Sequence, residues 1–540
     1  MKNLWQALML VRRCDRWAFR RRVLYVLLQS LLPLLNLYLL KLLIDAVDAG
    51  FHSQGPATGF LPYLLAMTAV FLINRVVAAL DRVNNDLLSQ RLTDYMSDIM
   101  QRQAARLDLS YYDTPSYHDT FHRAQQESGS RPLAILNNFM AVAGAVVSVV
   151  VVTLMLVRAS WLTVVVMLLA VTPSFFVRLR KAKSIYAFRR QNTQLYRRTA
   201  YYAHLLTSRE AAKEMRTFRL APHFRALFVQ ARSRLVARLL SISRRMGVAD
   251  ILCGLIEAAA MFLVVWLLAA QAFRGAFSVG TFVMLFEAFR RGQGYLTTLV
   301  GGIAGLYDNR LFVGNLFEFL RLQPTILDPS DPLPVPEQIH ELELRDVTFR
   351  YPDMQHDVLH HFNLKAGVGE ITQLQGENGY GKSTVVKLLL RLYDPQQGTV
   401  LLNGIDIRRF PVAQLRRRMG VLFQDFVRYA CTAAENIAFG DIDQPAASVL
   451  EAARLSGAGA VAEGLPDHYN TLLGRTFDGG HELSMGQWQR LALARALQSD
   501  APVLLLDEPV AWIDVAARQQ FYSALHQLKQ DKIIIMITHA

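Results

Sequence analysis

The chain has 540 residues, of which 52% are hydrophobic, and a formal net charge of +14. That is room for two or three domains. Three scattered cysteines, Cys14, Cys253 and Cys431, exclude a disulfide framework or a zinc site. The charge leaves two classes open, a nucleic-acid binder or a membrane protein with basic cytoplasmic loops, and its placement decides between them. Arg12, Arg13, Arg16, Arg20, Arg21 and Arg22 crowd before the first long apolar run. Arg178, Arg180, Lys181, Lys183, Arg189 and Arg190 follow the fourth, whereas residues 49–59 hold neither Lys nor Arg. Positive charge on one side only points to a membrane protein.

In chain order, residues 4–19 read as a helix lying in the membrane surface, with Trp5, Leu8 and Trp17 in the interface. A helix needs roughly 20 mostly apolar residues to span the hydrocarbon core. Runs at 23–46, 61–80, 135–157, 162–177, 251–270 and 279–303 meet this, the last being the most polar. Six spans return the C-terminus to the basic side. The connections on that side, 81–131 and 178–250, are long and rich in helix formers, so the spans are expected to continue beyond the membrane. Ionisable residues inside spans mark function by default. Glu257 is one, and Glu287, Arg291, Gly294 and Thr298 recur at helical spacing. Those four either line a wet cavity or owe their spacing to a simple Glu287–Arg291 pair. Lys41 sits where it can snorkel.

Residues 323–337, "QPTILDPSDPLPVPE", hold enough prolines to stop a helix and read as a linker. Beyond it the pattern becomes that of an α/β domain. "ELELRDVTFRY" alternates like a half-buried strand, and "VLLLD" reads as a fully buried one. Between them "GENGYGKST", Gly376 to Thr384, fits the phosphate-loop pattern, with strand-like "EITQLQ" before it and helix-like "TVVKLLLRLY" after. Its glycines let backbone N–H groups converge on phosphate, Lys382 adds charge, and Ser383 can reach Mg²⁺. Thr372 and Gln373 are polar for a buried parallel strand. After "VLLLD", Asp507 is placed for the metal's water shell, and Glu508 to orient or deprotonate the attacking water. A helix cap is the plainer reading of that acidic pair, and the phosphate loop argues against it.

"LSMGQWQRLALARAL", from Leu483, completes a set that resembles the ATP-binding cassette (ABC) transporters over nearly the whole chain. Ser484, Gly486 and Gln487 match the family signature L-S-G-G-Q, and Met485 departs from it. The resemblance implies an all-α six-helix transmembrane domain over 1–322, joined by the 323–337 linker to an α/β P-loop NTPase cassette over 338–540. It also implies that Gly376, Asn378, Gly379, Gly381, Lys382, Ser383 and Thr384 cradle ATP phosphates, and that Tyr351 stacks on adenine. Ser383, Gln424 and Asp507 would serve Mg²⁺. Glu508, Gln424 and His539 would be catalytic, and Asp514 would sit at the cassette interface. In this family the signature of one cassette closes over ATP held by the other, so a second copy or a similar half-transporter is implied. The fusion of membrane half and cassette resembles exporters, peptide and multidrug exporters most. "LDLSYYDTPSYHDTFHRA" and "LLTSREAAKEMRTF" resemble the segments whose short helices couple the halves, centred near 112–117 and 208–214.

The expected function is ATP-driven export of an amphipathic solute, with membrane lipid as surroundings and no nucleic-acid partner. The expected site is the inner (cytoplasmic) membrane with the cassette in the cytoplasm. Two departures stand against this. Family cassettes read D-E-P-T-S-A-L-D, and here "DEPVAWID" carries Trp512. The chain also stops at Ala540, one residue past His539, so a cassette truncated at its C-terminus is expected. The competing expectation is a membrane-bound ATP-binding regulatory or immunity protein without transport turnover.

Overall fold

A computed structural model describes residues 2–53, 59–114, 121, 124, 131–158, 160–352, 354–376 and 381–538. The chain divides into two compact units, Met1–Ala105 with Asp119–Arg321, and Arg106–His118 with Leu322–Ala540.

The first unit is helical: α1 Lys2–Cys14, α2 Arg16–Ser53 and α3 Leu61–Arg106, then, past α4 (Leu109–Tyr112) in the other unit, α5 Arg131–Val157, α6 Trp161–Gln191, α7 Thr193–Thr207, α8 Ala212–Thr217, α9 Ala221–Phe273 and α10 Val279–Leu320. The expected helix over 4–19 is broken at Asp15. Its carboxylate accepts hydrogen bonds from the N–H groups of Trp17 (3.0 Å) and Ala18 (2.8 Å), starting α2 as a capping residue does. Trp5 and Trp17 are exposed, whereas Leu8, assigned to the membrane surface, is buried in protein with Ala7 and Val11.

Among the described residues, five helices in this unit are long and apolar enough to cross a membrane, within Arg16–Phe51, Leu61–Arg106, Pro132–Val157, Trp161–Ile185 and Ala221–Phe273. The 279–303 run lies in α10 but is not among them, since Glu287, Arg290 and Arg291 fall within about one turn. Much of the apolar surface of these helices is exposed, including Phe262, Trp266 and Leu169, as lipid contact requires. The core gathers Leu37, Val152, Met167, Leu268 and Phe289 from α2, α5, α6, α9 and α10.

The ambiguity at Glu287 resolves toward pairing. Its carboxylate accepts from Arg290 at 2.6 and 2.7 Å and from Arg291 at 3.2 Å. Arg291 also donates to the carbonyl of Pro33. Glu257 accepts from the Ser174 hydroxyl at 2.7 Å. The second expected coupling segment forms its short helix at α8, slightly beyond the expected 208–214.

In the second unit, α4 Leu109–Tyr112 precedes the linker and cassette; residues 115–117 of the first expected coupling segment lie outside the described residues. This segment, assigned by sequence to the 1–322 half, packs with the cassette. Asp108 accepts from the Thr325 and Ile326 backbone and from the Thr325 hydroxyl, and Tyr111 donates to the Gln323 carbonyl. The proline-rich linker is thereby pinned, and Arg391 donates to its Leu327 carbonyl.

Two sheets build the cassette. An antiparallel one runs β2 (Leu359–Gly367), β1 (Glu341–Phe349), β4 (Gln397–Leu402), β5 (Ile405–Asp406). A parallel one runs β3 (Ile371–Gln375), β8 (Ile533–Thr538), β7 (Val503–Asp507), β6 (Met419–Leu422). β7 is interior and every residue in it is buried, as its apolar run requires. Among the described residues β3 is an edge strand with Gln373 exposed, which accounts for its polarity. β1 alternates only as far as Leu344; a register shift between Leu344 and Val347, with Asp346 at φ +53°, then leaves Val347, Thr348 and Phe349 all buried. Among the described residues the helices that follow are, in chain order, α11 Lys382–Leu389, α12 Val412–Arg417, α13 Ala433–Ala438, α14 Ala446–Ser456, α15 Ala458–Glu463, α16 Met485–Gln498 and α17 Val515–Leu528. α13 to α16 close a separate apolar cluster around Ile437, Leu465, Trp488 and Leu491.

Candidate nucleotide site

A parallel strand, a glycine turn and a helix start make a phosphate cradle. Here β3 ends at Gln375, and Gly381 at φ +77° turns the chain into α11. A Cβ on Gly381 would lie 2.8 Å from the Leu359 side chain and 3.0 Å from the Val358 carbonyl oxygen, so only glycine fits. Asn378 and Gly379 lie outside the described residues, as does His539. Lys382 leads α11, and its ammonium donates to the Gly376 carbonyl.

A cavity of about 450 Å³ opens over this turn. Into it come Lys382, Ser383 and Thr384 from α11, Asp507 and Glu508 from the end of β7, Gln424 from beyond β6, and Tyr351 from beyond β1. The Tyr351 hydroxyl lies 3.0 Å from the Thr384 hydroxyl, and its ring packs edge-on against Phe349 and Tyr393. Gln424 Nε2 donates to Glu508 Oε1 at 2.8 Å, and Glu508 stands at φ +49°. Such left-handed backbone is uncommon outside glycine and concentrates at functional sites.

Asp507 is only 3% exposed, and its Oδ1 has no hydrogen-bond partner. Burial pushes its carboxyl above the ordinary range; the Ser383 hydrogen bond and Lys382 oppose this, while Glu508 and Asp425 add to it. A raised pKa means the folded state holds the proton more tightly than the unfolded chain. Stability is therefore fully present below the unfolded value and lost as pH rises through the folded one. Asp507→Asn removes that charge, so the nucleotide-free variant should melt above wild type at pH 7. The gain should shrink toward about pH 4, which thermal unfolding across pH measures.

Ser484, Gly486, Gln487 and Asp514 do not line this cavity. Ser484 caps α16 with a reciprocal box: its hydroxyl accepts from Gln487 N–H, and Gln487 Oε1 accepts from Ser484 N–H at 2.9 Å. Asp514 pairs with Arg490. Sequence reading missed Gln489, which is 2% exposed. Its Nε2 donates to the Glu508 carbonyl at 2.7 Å, and its Oε1 accepts from Trp512 N–H at 2.8 Å. One side chain thus ties the signature helix to both ends of "EPVAW". The available signal was a glutamine on the same helix face as the buried Ala492, Leu493 and Ala496. Gly486 fits there because a Cβ would collide with the Trp512 carbonyl. The Trp512 indole itself points outward, 62% exposed.

Long apolar helices followed by a phosphate-loop cassette point to a nucleotide-binding membrane protein. Residues 359–511 match the ABC transporter family. The subtilin transport ATP-binding protein SpaT of Bacillus subtilis is 26% identical over 551 aligned positions, covering 100% of this chain and 88% of that protein. The ATP-dependent lipid A-core flippase of Syntrophus aciditrophicus is 33% identical, over 50% of this chain and 44% of that one. A solved bacterial Atm1-family ABC exporter with ATP bound superposes with a TM-score of 0.82 at 22% identity, covering 97% of this chain and 92% of that one. Residues 359–511 thus carry an ABC transporter domain, and the chain as a whole has the fold of an ABC exporter.

Proposed function

We propose that this chain, paired with a second copy or a similar half-transporter, exports an amphipathic solute across the cell's inner (cytoplasmic) membrane, with the cassettes in the cytoplasm. The domain division carried into this reading is a six-span membrane half over 1–322, a 323–337 linker and a cassette over 338–540. The observation that supports it most is the single cavity shared by Lys382, Ser383, Gln424, Asp507 and Glu508, with Glu508 already held by Gln424.

In this reading Tyr351 stacks on adenine, and the loop from Gly376 to Thr384 wraps the phosphates. Lys382 exchanges the Gly376 carbonyl for phosphate oxygens. Gln424 steadies Glu508, which accepts the proton of the attacking water. His539 meets the γ-phosphate. The unpartnered Asp507 Oδ1, with the Ser383 hydroxyl and the Gln424 amide in the same cavity, suits a hard cation completed by phosphate and water. Mg²⁺ held there would neutralise charge developing on the transferring phosphate. Ser484, Gly486 and Gln487 would present the start of α16 to ATP on the partner, with Asp514 beside that interface. Closure then favours one membrane conformation only through the affinity difference of ATP for the two states.

The solute class rests on two named relatives, one for subtilin transport and one a lipid A-core flippase. Those names supply the peptide and lipid-like classes, and the drug-like class is carried over from the resemblance to multidrug exporters. The test is ATP-dependent uptake of dye-labelled amphipathic peptides and drugs into inside-out vesicles. Uptake should be present in wild type and absent in Glu508→Gln.

Trp512 favours the second reading, a regulatory or immunity protein that binds ATP without turning over. Its indole is exposed and only its backbone is tied down, so in the exporter reading it is tolerated. Trp512→Ala should then change hydrolysis by less than about threefold, under ~0.7 kcal/mol of barrier. An inert wild type that Trp512→Ala wakes would establish the second reading.

A further inference from the structure

At the corner where α1 meets α2, Arg12, Arg13, Arg16, Arg20 and Arg21 are all exposed. None of the five makes an ion pair among the described residues. Within residues 1–44 only Asp15 is acidic. Its buried carboxylate is already taken, by the N–H groups of Trp17 and Ala18 and by Arg91. Asp94 of α3 acts on neighbouring Cys14 and pairs with none of the five. Trp5 and Trp17 are 61% and 72% exposed, and the Arg20 guanidinium lies over the Trp17 ring, 5.3 Å from its centre. The inward face of α1 is apolar, with Ala7, Leu8 and Val11 buried. Packing therefore fixes which side of this corner faces out, and that side carries tryptophan and unanswered positive charge.

Trp17, Arg20 and Arg21 directly precede the apolar run at 23–46, which puts them at headgroup depth when that run spans a bilayer. To that extent the inference rests on the proposed function. A bias of positive charge to one side would be met equally well by arginines paired with carboxylates. Here they are left unpaired, beside exposed indoles, as on helices that dock on lipid. Guanidinium groups bind phosphate oxygens in pairs, and each cation near an anionic leaflet adds to the attraction. A zwitterionic head would bring an ammonium, for which this corner has no free carboxylate. A head with net negative charge fits better. We propose that the α1–α2 corner binds anionic phospholipid, with Trp5 and Trp17 at the interface and the five arginines on the headgroup phosphates.

Native mass spectrometry of the full chain, equilibrated with equal phosphatidylglycerol and phosphatidylcholine of matched acyl chains, tests this. Wild type should retain phosphatidylglycerol about tenfold over phosphatidylcholine. Arg12→Gln combined with Arg13→Gln should cut that ratio at least about threefold. Both lie before the break at Asp15, so the start of the span is untouched. Arg225→Gln combined with Arg232→Gln removes the same charge from exposed positions of α9. These stand roughly 30 Å along the helix from its apolar run at 251–270, and their loss should move the ratio less than about twofold. Equal retention of the two lipids by wild type overturns the proposal. So does an equal loss in both double variants, which would show attraction to overall charge and not to this corner. Soluble glycerol phosphate that displaces phosphatidylglycerol would show a free-phosphate site and overturn it too. Hydrolysis measured on the same samples keeps the two readings apart. Turnover without lipid preference removes only this lipid site, and preference without turnover removes only the exporter.

Discussion

Glu508→Gln lowers steady-state ATP hydrolysis by about 10²–10⁴-fold, the usual worth of a positioned general base, while ATP binding persists. The expectation follows from placement. β7 is buried along its whole length, so the turn after it has little freedom. That turn aims Glu508 into the cavity holding Lys382 and Ser383, and Gln424 fixes one carboxylate oxygen. Glutamine has nearly the same shape and no useful basicity. The residues proposed to hold phosphate stay in place, so labelled-ATP binding should move by less than about threefold, ~0.7 kcal/mol. Hydrolysis above about a tenth of wild type, within ~1.4 kcal/mol of its barrier, would assign the base elsewhere.

Trp488→Ala should destabilise the cassette by about 3–5 kcal/mol, the range for emptying a buried aromatic site. Trp488 is 2% exposed and sits among Ile437, Leu465 and Leu491, with its indole N–H directed at Glu482. A domain's whole margin is about 5–15 kcal/mol. The variant should therefore melt well below wild type and lose hydrolysis at 37 °C through unfolding. Its neighbour Gln489 holds the Glu508 carbonyl, so loosening α16 reaches the site directly. Denaturant unfolding is the check, and a loss under about 1 kcal/mol would mean the site collapses around the smaller side chain.

The strands, turn and helix around the candidate site were readable in the sequence because their signals are local. A phosphate loop must be a strand, glycines and a helix in immediate succession, and "VLLLDE" must be a buried strand ending in carboxylates. What it hid depends on contacts between distant segments. Gln489 reads as an ordinary helix residue until α16 is packed on the "EPVAW" turn. Edge position explains Thr372 and Gln373, and no local pattern reveals which strand lies at an edge. The β1 irregularity at Asp346 breaks an alternation that looks continuous in "ELELRDVTF". In the membrane half, hydropathy located the apolar helices. It passed over Asp15, whose two backbone hydrogen bonds split the first helix, and over Arg290, the nearer partner of Glu287. The segment at Arg106–His118 was counted with the membrane half because it follows α3 in the chain, yet its hydrogen bonds go to the linker.

The central claim is that this cassette turns over. Phosphate release by the purified wild-type chain in lipid vesicles tests it most directly, with labelled-ATP binding read on the same sample. The account predicts Mg²⁺-dependent release that saturates with ATP, at roughly 1 s⁻¹ or faster as enzymes commonly show. Intact ATP binding with no release above a lipid blank would contradict it, and would leave a nucleotide-binding membrane protein that does not pump.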